Sequence, residues 1–243
     1  MEGNMITTIL FDLDGTLLPL NDNEFLRLYF GLMAKYFNHL GYDGTSITKA
    51  VLEGTEAMYQ NNGLVTNEIA FWKRFKKVFS DYQPELDQAF EQFYEKEFDK
   101  VKASTTLHPL SNKIIQVLKS KGYTLALATN PLFPPIATKK RIEWAGMNPS
   151  DFAFVTTYDN SSWTKPNKEY YQFVINQIHK TPDECMMIGN DASEDMAAEK
   201  LGISVYLLTH NLINSKNKDI QQFRHGDFDD LYQMILELPN LNR

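Results

Sequence analysis

The 243-residue chain has one cysteine, only five histidines and no surplus of positive charge. A single thiol, Cys185, excludes an intramolecular disulfide. It sits in the apolar run "ECMMIG" with no adjoining cation to lower its pKa, the setting of a buried strand thiol rather than a nucleophile. The histidines (His39, His108, His179, His210 and His225) are scattered, and no helical pair has the spacing of a zinc site. Twenty-four Lys and Arg stand against thirty-one Asp and Glu, a net charge of −7. That balance argues against general nucleic-acid or anionic-membrane binding, because both require a basic surface. A serine-hydrolase elbow and a Walker loop are also missing. The longest uncharged stretch, residues 122–138, contains Pro131, Pro134 and Pro135 and is no membrane span. The start "MEGNMITTILFD" lacks a basic segment and a long apolar run, so no secretory signal is expected. Together these absences predict a cytoplasmic protein acting on a small molecule, and leave the oligomeric state open.

Two textures alternate along the chain. Short apolar runs recur at 5–11, 123–129, 152–157, 184–189 and 203–209. They lack polar alternation, which predicts strands buried on both faces of a parallel sheet. Amphipathic stretches lie between them, including 111–122 and 193–202, ending at Gly122 and Gly202 as C′ residues. The expected fold class is α/β, a doubly wound parallel sheet. Residues 20–105 break the pattern and show only helical periodicity. Helices are expected near 25–40, 46–60, 66–82 and 84–101, the first with an apolar stripe of Phe25, Tyr29, Met33 and Phe37. The domain expectation is therefore an α/β core of residues 1–19 and 106–243 with a helical cap of 20–105. Trp72, Phe75 and Phe79 read as bundle core or, less simply, as substrate-facing aromatics. Residues 211–219 read as a surface loop and "FDDLYQMILEL" as a closing helix.

Chemistry gathers at the strand ends. "DLDGT" sets Asp12 and Asp14 one residue apart as the first strand leaves the core. Repulsion and burial both oppose ionising such a pair unless a cation or ligand offsets them. The second strand ends in Thr129 and Asn130, two groups able to donate to a phosphoryl oxygen, although Asn130-Pro131 could equally be a turn. Lys165 precedes Pro166 after the third. The fourth ends in "GNDASED", with Asp191 in the turn and Asp195 one helical turn later; Asp191 could also serve as a cap. The carboxyl edge of an open parallel sheet is where ligands bind.

Four such groups in this order resemble the motifs of the haloacid dehalogenase-like hydrolases: "DLDGT", "ATN", "KP" and "GNDASED". The resemblance spans nearly the whole chain, since a helical cap after the first motif is one of that family's architectures. It implies that Asp12 is the nucleophile, forming an aspartyl-phosphate, and that Asp14 is the general acid and base. It further implies that Mg²⁺ is held by Asp12, the backbone carbonyl of Asp14, and Asp191. Lys165, Thr129 and Asn130 would bind the phosphoryl group, while Asp195, or less simply Glu194, would orient Lys165 or a metal-bound water. An aspartate at position 14 points to phosphoryl transfer, because a departing halide needs no proton. The expected function is a Mg²⁺-dependent phosphomonoesterase acting on a small phosphorylated metabolite. The alternatives are a sugar-phosphate mutase or a catalytically idle binding protein of the same fold. Phosphonate cleavage through Lys35 is a remoter possibility, and Asn21, Asn23 and Arg27 are candidate cap contacts.

Overall fold

The structure is a computed structural model and describes residues 5–242. Six strands, β1 (Thr8–Phe11), β2 (Thr124–Leu127), β3 (Phe154–Val155), β4 (Cys185–Gly189), β5 (Ser204–Leu208) and β6 (Arg224–Gly226), form one sheet in the order β3-β2-β1-β4-β5-β6. Every neighbouring pair is parallel. The strand β1 is central and wholly buried. Ile9 and Phe11 face one hydrophobic cluster and Leu10 faces the other, so successive side chains feed opposite layers. One layer holds α5 (Pro109–Ser120), α6 (Pro135–Trp144) and α8 (Phe228–Glu237); the other holds α7 (Lys168–Gln177). This is the expected doubly wound α/β architecture, and Cys185 is the expected buried strand thiol.

Three local expectations need correction. The sixth strand escaped notice because Arg224–Gly226 is a three-residue edge strand without an apolar run. Residues 195–201 wind as a 3₁₀ helix, not an α-helix, although Gly202 ends it at φ 90° as expected. Its first side chain, Asp195, is bound to Lys165 and to the Asp191 amide, which fixes its start. The segment 211–219 is more than a surface loop. Ile213 bridges to Asp191, and the Asn211 carbonyl accepts from Asn190 Nδ2 at 2.7 Å, so its first residues back the sheet edge. The helix α6 carried no amphipathic signal because its buried face includes Thr138 and Arg141.

Between β1 and α5 the described residues form α1 (Asp22–His39), α2 (Gly44–Tyr59), α3 (Asn67–Val78), α4 (Glu85–Lys96) and a 3₁₀ helix at Phe98–Ser104. Asn21, Asp43 and Thr66 cap the first three through side-chain oxygens that accept backbone N–H groups. Phe37, Phe75, Phe93 and Phe98 are fully buried. Burying one such ring is worth about 1.5–3 kcal/mol, so these aromatics dominate the cohesion of the helical layer. Phe75 and Phe79 are core, as expected, while Trp72 is only half-buried.

Two contacts seat this layer on the sheet. The chain leaves and returns side by side: Leu20 and Thr105 form an antiparallel bridge, and Thr106 N–H donates to the Pro19 carbonyl at 2.8 Å. At the other contact, the first-turn amides of α3, which have no partner inside the helix, reach the core. Asn67 N–H donates to Ser161 O and Glu68 N–H to Tyr158 O, both at 2.8 Å. The buried Asn67 side chain adds a bond from Nδ2 to Pro131 O at 3.2 Å. Asn67→Ala should therefore lower unfolding stability by about 1–3 kcal/mol, because it leaves buried partners unpaired; an unchanged urea midpoint would show that this latch contributes nothing.

Candidate active site

Asp12 follows β1 directly, and its N–H donates to Ile188 O of β4 at 2.9 Å, which holds the residue at the sheet's carboxyl edge. The next turn depends on Gly15, whose φ is +80° and whose missing Cβ would lie 2.3 Å from Asn190 Nδ2. Only glycine combines that backbone with that approach. Thr16 Oγ1 reaches both Asp12 Oδ2 at 3.1 Å and Asn190 Oδ1 at 3.0 Å, tying the first motif to the fourth.

Lys165 lies in the loop before α7 and is 1% exposed. Its ammonium donates to Asp12 Oδ1 at 2.7 Å and to Asp195 Oδ1 at 2.6 Å. Burial alone would lower the lysine's pKa, but Asp12 and Asp195 override it and hold it well above the ordinary value. Burial pushes the Asp12 carboxyl up to about 7 against the opposing pull of Lys165, with Asp195 adding to the rise. Asp195 is positioned by a second void: a Cβ on Gly189 would fall 2.1 Å from its Cγ. Its Oδ2 accepts from the Asp191 amide at 2.9 Å. The structure thus joins Asp12, Lys165 and Asp195 in one buried chain of charge-assisted bonds.

Asp191 does cap the following turn, accepting from the Ser193 and Glu194 amides at 2.6 and 2.8 Å. Both bonds use Oδ1, which leaves Oδ2. Asn130 bridges two loops: Nδ2 donates to Glu194 Oε2 at 3.1 Å, and Oδ1 accepts from Lys165 N–H at 3.3 Å. The Thr129 carbonyl is fixed by the Tyr170 hydroxyl at 2.8 Å and by Thr156 Oγ1 at 2.6 Å. Burial also pushes Glu194 up to about 7.

Asp14 is the exception. Its Oδ2 is ion-paired with Arg141 Nη1, and its Oδ1 is buried without a partner. Arg141 is 1% exposed, donates Nη2 to Thr138 Oγ1 at 3.2 Å, and stacks over Phe133 with its guanidinium carbon 4.3 Å from the ring centroid. Sequence reasoning missed Arg141; no motif marks it. Thr16 and Asn190 were also missed, although both stand inside the quoted motifs. Of the speculative contacts, Asn21 caps α1, while Arg27 and Lys35 are exposed on that helix.

Six carboxyls are linked pairwise by repulsion, Asp12 with Asp14 and Asp195, Asp22 with Asp14 and Asp191, and Glu194 with Asp191 and Asp195, and two cations, Lys165 and Arg141, are ion-paired among them. Among the described residues no three acidic, histidine or cysteine side chains are gathered tightly enough to form a ready metal cluster. The donor set is nonetheless all oxygen, and its negative surplus suits a hard cation.

These motifs can be set beside known proteins. A family model for the haloacid dehalogenase-like hydrolases matches residues 6–202, a span that contains all of the site residues just described. The chain belongs to that hydrolase family. It is an enzyme of this family. Among curated relatives, pyrophosphatase PpaX of Bacillus anthracis is 23% identical over 246 residues, covering 98% of this chain and 99% of that protein. Among solved structures, the haloacid dehalogenase-like (HAD) phosphatase of Thermococcus onnurineus aligns with a TM-score of 0.61 at 19% identity, over 97% of this chain and 100% of its own. CbbY of Rhodobacter sphaeroides, solved with phosphate, aligns at 0.58 and 19%, over 93% and 96%. These structural likenesses show the fold.

Removing the shared ammonium tests the electrostatics. In Lys165→Met, Asp12 and Asp195 would face each other uncompensated. Burial holds the Asp12 carboxyl up, so the cost of its uncompensated charge is small while it is protonated and grows as pH rises through its elevated pKa. The variant should lose about 3–5 kcal/mol at pH 8 and distinctly less at pH 5; equal losses in urea unfolding at both pH values would contradict the arrangement.

Proposed function

We propose that the chain is a Mg²⁺-dependent phosphomonoesterase that works through an aspartyl-phosphate. The observation that carries this reading is the placement of Asp12 2.7 Å from a buried ammonium, at the sheet edge, within a surplus of acidic groups. Asp12 attacks phosphorus, the bond to the ester oxygen breaks, and the departing oxygen takes a proton from Asp14. Water then attacks the phosphoenzyme, returns a proton to Asp14 and releases phosphate. Lys165 offsets the repulsion between carboxylate and phosphoryl group, while Thr129 and Asn130 bind phosphoryl oxygens. Asp195 holds Lys165 in place. Asp12, Asp191 and the Asp14 carbonyl would hold Mg²⁺, which supplies positive charge toward the phosphoryl oxygens.

Two features of the resting structure fit this cycle. Arg141 is ion-paired with the Asp14 carboxyl, so Asp14 must exchange that partner for the ester oxygen. The helices of residues 20–105 act as a cap that excludes bulk water during transfer. The substrate is a small phosphorylated molecule, and the chain's net charge of −7 disfavours binding to nucleic acid or an anionic membrane surface. A relative named as a pyrophosphatase extends the choice of phosphorylated substrates to be tried.

Phosphate release from a panel of esters should require Mg²⁺ and fall at least about a thousandfold in Asp12→Asn, since loss of a covalent nucleophile removes the main reaction path. Turnover of Asp12→Asn at the wild-type rate would end the covalent reading. Isomerised ester without free phosphate would assign a mutase instead.

A further inference from the structure

Beside the catalytic edge lies a cavity of about 510 Å³ between the helical layer and the loop that follows Asn130. Its walls are aromatic and aliphatic: Tyr29, Trp72, Phe90 and Tyr94 from the helices meet Phe133 and Tyr158 from the sheet side. Leu26 and Leu52 also line it, although they are 48% and 53% exposed, so apolar side chains stand open to solvent at its margin. A space of this volume and character suits an organic ligand rather than water.

Charge sharpens the choice. The charged side chains lining the cavity are Glu68, Asp87 and Glu91, and no lysine or arginine lines it among the described residues. Two cations that lie against aromatic rings of this wall or beside it are already engaged: Arg141 stacks on Phe133 and is paired with Asp14, and Lys76 sits over Trp72 and Tyr82 at 5.7 and 4.3 Å. A second phosphate or a carboxylate entering here would meet carboxylates without compensation.

The cavity also lies on a particular side of the reaction. Its Phe133 wall stacks on Arg141, and Arg141 holds Asp14, the group assigned to protonate the departing oxygen. Tyr59, at another part of the wall, feels the charges of Glu194 and Lys165. The space reaches toward Asp14 through Phe133 and Arg141 and toward Glu194 and Lys165 through Tyr59, while none of these four charged residues lines it. We infer that this cavity receives the leaving group, and that the substrate is a phosphate monoester whose alcohol portion is large, apolar and free of a second anionic group. The inference rests on the phosphatase reading and deepens it.

The test compares Mg²⁺-loaded enzyme on 2-naphthyl phosphate, phenyl phosphate, phosphoglycolate, pyrophosphate and acetyl phosphate. Phenol and 2-naphthol are similar leaving groups, so their difference reports burial of the second ring. We expect kcat/KM for 2-naphthyl phosphate to exceed that for phenyl phosphate by about tenfold or more, with phosphoglycolate and pyrophosphate below both. Thr55→Trp, which fills the cavity from α2, should raise KM for 2-naphthyl phosphate about tenfold and leave acetyl phosphate turnover unchanged. Leu52→Glu, at an exposed position that folding tolerates, should raise the same KM in the same direction. Equal kcat/KM for the two aryl esters, or a preference for phosphoglycolate or pyrophosphate, each of which carries a second anionic group, would overturn the inference while acetyl phosphate turnover upheld the phosphatase reading. Failure to release phosphate from any ester would overturn both.

Discussion

The buried ammonium of Lys165, shared between Asp12 and Asp195, is the interaction on which the active edge depends. Each partner arrives from a different part of the chain: Asp12 from the end of β1, Lys165 from the loop before α7, and Asp195 from the turn after β4. None would tolerate such burial alone, since an unpaired charge in that environment costs several kcal/mol. The parallel sheet brings β1 and β4 into adjacent register, Phe11 opposite Ile188, so the first and fourth motifs must emerge together. Fold and site are thus one constraint: the strand order that closes the core also delivers the charges that must neutralise each other.

Around that triad the polar groups are arranged to hold geometry. Thr16, Asn190 and Asn130 bond across loops, and the glycines at 15 and 189 open the space that Asn190 and Asp195 occupy. The tyrosines of α7 contribute from the opposite layer, Tyr170 to the Thr129 carbonyl and Tyr171 to the Glu194 carbonyl at 2.5 Å. A site so cross-braced is stiff on the sheet side. The helical side is joined to the sheet by the paired connectors, by the α3 amides that bond Ser161 and Tyr158, and by α6, whose Lys140 pairs with Asp99 and whose Trp144 stacks on Phe98.

Much of this was readable before any coordinates. Strands buried on both faces must be apolar throughout, so β1, β2, β4 and β5 stood out as runs, and the motif residues stood at their ends. What escaped notice lacked a local signature. The strand β6 is too short and too polar at Arg224 to register. Arg141 sits on α6, and its meaning comes from a contact 127 positions away in sequence. Even among the motif residues, the engagement of Asp14 by Arg141 is a tertiary fact, because nothing in "DLDGT" shows which way its second carboxyl turns. The segment 211–219 looked like a loop by composition, yet its first residues are fixed by Asn190 and Asp191.

The paired connectors have a topological consequence. Because Pro19 and Thr106 are already bonded backbone to backbone, the eighty-odd residues between them form a closed excursion whose two ends coincide. A tight turn could rejoin the chain there without disturbing the order of the sheet, and a different excursion could be spliced in at the same point. The helical layer is in this sense a detachable module, while the charged edge stays with the strands.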